Sequence, residues 1–413
     1  MPRAHPQWKP VIHVAGGTYL EYCREPAWNE LFGSGLRAAG ALSRLGAPVT
    51  LHTFIGREHL AVLEMKAESH AIALSHREIP ETLRFEYLHP LSKPVIEPEL
   101  AVRALAIAPL QVQVKADQVL RYGVMEGSIR VEAEMAVYDP QSPSNPRPFA
   151  ENGSTAKRLA IVANRSETKK LAGKSTSEEA CRHLLNEAGA EVVIMKCGAD
   201  GCLVCTKDAV DRVPAFQTKR VWPIGSGDVF SATFANGWMA AGHSPQEAAL
   251  RASRATAHYV ETTSYATADM LTVESRPPLR MRPMAQHKQV YLAGPFFNLA
   301  QRWLIEEFRA ALLGFGVKVF SPLHEVGRGE FETVYEPDMD GLRKSGVVLA
   351  CLDGLDPGTI YEVGYAHRHG LPVIAFVSAE REEDLKMPLG GGARLVKDFA
   401  TALYWTVWAA TCE

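Results

Sequence analysis

Val347-Val-Leu-Ala-Cys-Leu-Asp-Gly-Leu-Asp-Pro-Gly-Thr-Ile-Tyr-Glu-Val-Gly364 is the stretch from which the fold can be read. It opens with a short, unbroken apolar run, Val347–Leu352, the mark of a strand buried on both faces. Asp356-Pro-Gly358 is a turn, and a helix is expected from about Thr359 to His369. Strand, tight turn and helix in that order build a parallel sheet with helices on its faces. The same alternation surrounds it, with strands at Gln289–Ala293, Lys318–Phe320 and Val373–Val377 and a helix at Ala300–Leu313. Further upstream lies a second series, with strands at Val11–Ala15, Val49–Ile55, Ala136–Tyr138, Leu159–Ala163, Val192–Lys196 and Cys202–Cys205. Helices there are expected at Leu36–Leu45, Ser177–Glu187 and Val229–Ala241. Between the two series, Ser275-Arg-Pro-Pro-Leu-Arg-Met-Arg-Pro-Met284 is Pro-rich and basic, with no apolar period. Two α/β domains are therefore expected, residues 1–274 and 288–413, joined by a linker at 275–287.

A chain of 413 residues exceeds one ordinary core. Hydrophobic residues make up 46% and charged residues 22%, a globular balance, and the formal net charge of −3 argues against nucleic acid or an anionic membrane as a dedicated partner. No run approaches the ~20 apolar residues of a membrane helix, and Met1–Pro10 lacks the apolar segment of a secretory leader. A cytoplasmic protein is expected. Cys181, Cys197 and Cys351 sit in apolar runs, where a thiol acts as a small hydrophobe. Cys202 and Cys205 are three apart on a strand, hence on opposite faces, with no second Cys or His pair at zinc spacing. Core packing and no metal are expected. Trp238, Met239, Trp405 and Trp408 suit helix packing, and His367 and His369 suit a solvated helix end.

Carboxylates gather at one rim of the second sheet. Tyr291-Leu-Ala-Gly-Pro-Phe-Phe297 ends a strand in a Gly-Pro turn that lets backbone approach a ligand, followed by two aromatics able to stack on a flat base. The alternative is that both Phe side chains are core. Glu336-Pro-Asp-Met-Asp-Gly341 precedes the next strand, and Glu362 is expected in the first helical turn, where free N–H groups favour an ionised carboxylate. Thr359-x-x-Glu362 also reads as a capping box, in which Glu362 only satisfies a backbone N–H. A capping box needs no companion acids, whereas Asp338, Asp356 and Glu362 map to the same rim. Clustered acids repel, so one of them holds a proton or grips hydroxyls. Such a set suits glycosyl chemistry: one carboxylate attacks the anomeric carbon while another group protonates the leaving base.

On these residues, 288–378 resembles the nucleoside 2-deoxyribosyltransferases. Tyr291–Phe297, Asp338–Gly341 and Asp356–Ala366 match that family's three motifs in order. The resemblance implies Glu362 as the nucleophile of a covalent (deoxy)ribosyl-enzyme, Asp338 and Asp356 binding or protonating the base, and Tyr291 orienting the glutamate. Gly294, Phe296, Phe297, Asp340 and Gly358 then line the substrate cleft. It implies no cofactor for this domain, a small-molecule nucleoside or nucleotide as substrate, and a homo-oligomer with sites at subunit contacts. The family's late Asn has no counterpart around Gly390–Arg394. Transfer to a second base and hydrolysis by water both stay open.

In the first series, Ile224-Gly-Ser-Gly-Asp-Val-Phe230 opens a helix. Small residues before a helix form an anion hole, and Asp228 could take a proton from an attacking hydroxyl. The same stretch also reads as a plain loop-to-helix junction with Asp near the cap. With Asn164-Arg-Ser-Glu167, Gly198-Ala-Asp-Gly201 and the helix start Gly33-Ser-Gly-Leu-Arg-Ala-Ala-Gly40, it makes residues 10–270 resemble the ribokinase (pfkB) family of sugar and nucleoside kinases. The resemblance implies Gly225, Ser226 and Gly227 as the phosphate site, Asp228 as the base, and Asn164 and Glu167 ordering Mg²⁺ and the phosphates of ATP. Three positions depart from the pattern. Glu21 stands for the early substrate Asp, Arg37 for a substrate-binding Asn, and Trp222-Pro223 for the Asp-Thr before the anion hole. Arg37 suggests an anionic ligand, or else a domain that has lost catalysis and only binds. The fold class expected is α/β: a ribokinase-like three-layer α/β/α domain followed by a smaller flavodoxin/Rossmann-like parallel-sheet domain. An enzyme of nucleoside or nucleotide metabolism is the leading reading, and a nucleotide-binding sensor with an inactive kinase-like domain is the alternative.

Overall fold

A computed structural model describes residues 10–99, 110–142, 144–273 and 276–413. Residues 1–9, where the reading of a missing secretory leader falls, Glu274 and the first residue of the expected linker, Ser275, lie outside the described residues. The chain divides into two compact units, one ending at Pro278 and one beginning at Leu279. Among the described residues no helix is long and apolar enough to cross a membrane.

The first unit carries β1 (Ile12–Ala15), β2 (Leu20–Cys23), β3 (Trp28–Leu31), β4 (Val49–Gly56), β5 (Ile72–Ile79), β6 (Arg84–Tyr87) and β7 (Val95–Glu97). It continues with β8 (Leu110–Tyr122), β9 (Gly127–Asp139), β10 (Thr155–Asn164), β11 (Val192–Lys196), β12 (Cys202–Cys205) and β13 (Val210–Val213). Among the described residues nine of these form one sheet in the order β13-β12-β11-β10-β9-β8-β1-β4-β5, parallel from β11 to β5 and antiparallel at β12 and β13. The other four make a small sheet, β3-β2-β6-β7. Apolar residues alternate between two cores, one on each face: Val162, Ile194 and Cys202 in one, Ile161, Val193 and Cys205 in the other. That is the signature of a three-layer α/β/α unit. Cys202 and Cys205 are core packing on opposite faces. The expected single helix Val229–Ala241 instead runs as an α-helix, Ser226–Ala235, and a π-turn, Asn236–Ala240, where Gly237 meets Ala248 of the helix Pro245–Thr262.

The second unit carries β14 (Val290–Ala293), β15 (Val319–Phe320), β16 (Val347–Cys351), β17 (Val373–Phe376) and β18 (Arg394–Val396). They form an all-parallel sheet, β15-β14-β16-β17-β18. Tyr291, Ala293, Val348, Ala350 and Val373 face a core shared with Met339, Leu342, Val363 and Ala366 of two helices. On the opposite face Phe308, from the helix Leu299–Gly314, packs on Phe376 and on Phe399 of the last helix, Phe399–Thr411. The Pro-rich stretch is held by neighbours within each unit. Arg276 pairs with Glu261 and Pro277 accepts from Gln217, whereas Arg282 and Lys288 donate to Thr411 and Ala410.

Candidate functional site

The second unit's site lies beyond the carboxyl ends of β14 and β16, where ligands of parallel sheets bind. Its helix begins at Pro357 and not near Thr359: Asp356 is the N-cap, accepting from Thr359 N at 2.8 Å and Thr359 Oγ1 at 2.9 Å. Glu362 is therefore the sixth helical residue and not in the first turn. The capping-box alternative fails with it, because the oxygen that meets Thr359 N belongs to Asp356. The Glu362 carboxylate instead accepts from Tyr291 Oη at 2.5 Å. Tyr291 is fully buried and stacked on Phe320. A buried β14 side chain, in the same core as Val363 and Ala366 of that helix, thus holds the glutamate.

The sequence expectation of a freely ionised glutamate needs correction. Burial pushes the Glu362 carboxyl up to about 7, with the nearby Asp338 and Asp356 adding to the rise and the Tyr291 hydrogen bond opposing it. The dipole of the helix acts mainly on its first turn, which Glu362 has left. Asp338 comes from the helix Phe331–Lys344, and burial raises its carboxyl to about 6. Its Oδ1 is buried with no hydrogen-bond partner, which holds a proton there more firmly than on an exposed aspartate. The structure brings Asp338, Asp356, Glu362 and Tyr291 together. Asp340, two residues from Asp338 and so on another helical face, is half-exposed and pairs with Lys344 at 2.5 Å.

Around them, Gly294 serves packing: a Cβ there would come within 2.7 Å of Ile305 and 3.0 Å of Cys351. Gly358 is exposed beside Asp356 Oδ2. Phe296 is half-buried and Phe297 64% exposed, their rings stacked at 5.5 Å, so Phe297 is not core. Their loop is stiffened by Gln301 Oε1, which accepts from Phe297 N and Asn298 N, and by Arg302 and Arg328, which both donate to the Phe296 carbonyl. Tyr335 and Tyr361, whose hydroxyls lie 3.2 Å apart, were not foreseen. Nothing in local sequence marks them, because they meet from two different helices.

In the first unit, Gly225 (φ 78°) caps the helix that carries Ser226, Gly227 and Asp228. Asp228 is buried, and burial raises its carboxyl while Arg37 opposes the rise. Arg37 Nη1 donates to Asp228 Oδ2 at 2.9 Å and to Glu21 Oε1 at 2.9 Å, and Arg37 Nη2 also binds Glu21 Oε2. The charge that suggested an anionic ligand is thus already matched by two carboxylates. Gln141 Nε2 holds Asp228 Oδ1. Asn164 and Glu167 close a reciprocal capping box, each side chain accepting from the other's backbone N–H. Lys196, at the end of β11, pairs with Asp139 Oδ2 at 2.5 Å and lies beside Gly227. Burial lowers its pKa, but Asp139 and Glu167 outweigh this and leave it raised. Lys196, Asp139 and Gln141 went unread in the sequence. The signal available was a charged residue at the carboxyl end of a buried strand, as in Lys196 and Asp139.

The ATP and Mg²⁺ expected here require a free base and free metal-side oxygens. Both Asp228 oxygens carry hydrogen bonds, one from Arg37 and one from Gln141. As placed, Asp228 is a paired carboxylate and not a free base.

Residues 290–391 match the family model described as nucleoside 2-deoxyribosyltransferase, and residues 130–272 match that of the pfkB family of carbohydrate kinases. A search of curated proteins found no match. Among solved structures, ribokinase from Thermotoga maritima is similar at 19% identity and TM-score 0.47, covering 64% of this chain and 98% of that one. A nucleoside kinase from Methanocaldococcus jannaschii is 15% identical, with TM-score 0.49 and coverage of 64% and 97%. Fructokinase from Vibrio cholerae, solved with fructose, ADP and calcium, is 14% identical, with TM-score 0.47 and coverage of 64% and 98%. The chain joins a ribokinase-like, pfkB-family kinase-like domain to a nucleoside 2-deoxyribosyltransferase-like domain.

Proposed function

We propose that the second unit breaks or transfers the N-glycosidic bond of a nucleoside or nucleotide, with Glu362 as nucleophile. The observation that carries this reading is the Tyr291–Glu362 hydrogen bond set beside two further carboxyl groups. With its pKa near 7, Glu362 is ionised in a large fraction of molecules at neutral pH. The ionised oxygen attacks the anomeric carbon, the carbon–nitrogen bond breaks, and its electron pair leaves with the base. Asp338, whose carboxyl burial raises to about 6, supplies the proton to the departing nitrogen from the minor fraction that is protonated at neutral pH. The glycosyl ester on Glu362 then passes to water or to a second base. Asp356 fixes the helix start that aims Glu362.

Incubation with a panel of nucleosides and nucleotides, followed by mass identification, tests this. Base release should vanish in Glu362→Ala and fall at least ~10²-fold in Asp338→Asn. A glycosyl adduct should be found on the Glu362 peptide after acid quench. Unchanged base release in Glu362→Ala would end the proposal. A homo-oligomer belongs to the same reading: exposed Phe297, Leu299, Trp303 and Phe331 lie on the elements that carry the site. Light scattering of the full chain checks it, and a strict monomer with full activity contradicts it.

For the first unit, the engaged state of Asp228 favours the second reading, a kinase-like domain that binds without turnover.

A further inference from the structure

We infer that Arg37 is an internal plug: its guanidinium fills the space in front of Asp228 and holds the first unit in a state that cannot accept a proton from a substrate hydroxyl. This rests on the pfkB match for the role of Asp228 and is independent of the chemistry at Glu362.

The plug is built from four directions. Arg37 is 1% exposed. Its Nε donates to Tyr259 Oη at 3.0 Å, its Nη1 to both Glu21 and Asp228, and its Nη2 to Glu21, while the Phe32 ring lies 4.9 Å from its central carbon. The partners come from β2, from the helix start at Ser226 and from the helix Pro245–Thr262, so three elements converge on one side chain of a fourth. Tyr259 Oη in turn donates a hydrogen bond to the Ile224 carbonyl at 3.0 Å, and Glu21 Oε1 also accepts from Gly33 N at 3.1 Å. Gly225 makes the room: a Cβ there would lie 2.1 Å from Arg37 Nε. The missing side chain at this position therefore serves the guanidinium as well as the helix cap.

A general base must offer a lone pair within about 2.6–3.2 Å of the hydroxyl it deprotonates. Each Asp228 oxygen accepts one hydrogen bond, from Arg37 and from Gln141, and the residue is 7% exposed, so a hydroxyl reaches a remaining lone pair only if one of those side chains moves aside. Withdrawing Arg37 would strand two buried carboxylates, which makes the closed state self-reinforcing.

Two measurements test the plug on the full chain. In the first, a carbodiimide and an amine label carboxyl groups, and peptides are read by mass. Asp228 and Glu21 should label at least tenfold more slowly than the exposed Glu332. Labelling of Asp228 at the rate of Glu332 overturns the inference. In the second, Asp228→Asn is made in the native chain and in an Arg37→Met background, and the unfolding temperature of the first unit is followed. The substitution should lower that temperature with Arg37 present and raise it with Arg37 gone. Equal effects in both backgrounds mean the pair is not made in solution and the pocket is open. Should Arg37→Met fail to fold, the labelling experiment decides alone. Asp228-dependent phosphorylation of a sugar or nucleoside by the unmodified chain with ATP and Mg²⁺ also overturns the inference.

Discussion

Replacing Glu362 by Gln should abolish base release and yet stabilise the second unit at alkaline pH. The carboxyl is raised from 4.5 to about 7, chiefly by burial. A group whose pKa is raised on folding favours the native state when protonated. Its contribution is complete below 4.5 and is lost as pH climbs through about 7. Gln keeps the shape and an oxygen for Tyr291 to donate to, but it never ionises. The two proteins should therefore be nearly equal in stability at pH 4. They should diverge between about pH 4.5 and 7, in favour of Gln. The full rise corresponds to about 3 kcal/mol, and because the side chain is only half-buried by area, solvent screening reduces this to ~1–3 kcal/mol. Amide hydrogen exchange in β14 and β16, read by mass at pH 5 and pH 8 and corrected for intrinsic rates, measures the unit in place without isolating it. A difference that does not change with pH, or one that favours Glu at pH 8, would refute the idea that burial holds a proton on this group.

Three further outcomes follow from the same geometry. Tyr291→Phe removes the hydrogen bond that lowers the Glu362 pKa, so the acid limb of the base-release profile should move up by about one pH unit, with a ~10-fold loss at pH 7; an unmoved limb assigns Tyr291 to packing alone. Asp356→Ala loses the cap on Thr359 and should cost about 1 kcal/mol by thermal unfolding, whereas Asp356→Asn should retain most of it. If the Asn variant is as inactive as the Ala variant, Asp356 acts in the chemistry as well as in the helix start. Gly341→Ala places a Cβ 2.3 Å from the Phe320 ring, which stacks on Tyr291, and should cost ~1–3 kcal/mol and lower base release; a neutral result would show that Phe320 has room to move.

The strands named from the sequence were legible because their apolar runs depend on neighbours in the chain, whereas β2, β3, β5, β6, β7, β8 and β13 of the first unit were not among them. Val347–Leu352 reads as a buried strand by its apolar run, and Cys202 and Cys205 read as opposite-facing by a spacing of three. The acids Asp338, Asp356 and Glu362 were legible as one rim because each follows or precedes a recognisable strand. Which acid caps the helix was not: two cap patterns overlap in Asp356–Glu362, and the contact of Glu362 with Tyr291, 71 residues away, removes it from the cap. Nor was its protonation, since burial is a property of everything packed around it. Arg37 shows the limit most plainly. In the sequence it is a stray cation at a substrate position. Only the fold brings Glu21 and Asp228, the latter 191 residues away, onto its guanidinium and turns a suggested ligand anchor into a closed ion pair. Local pattern dictates which element a residue joins; the balance of charge, solvent and space around its side chain exists only once distant elements have met.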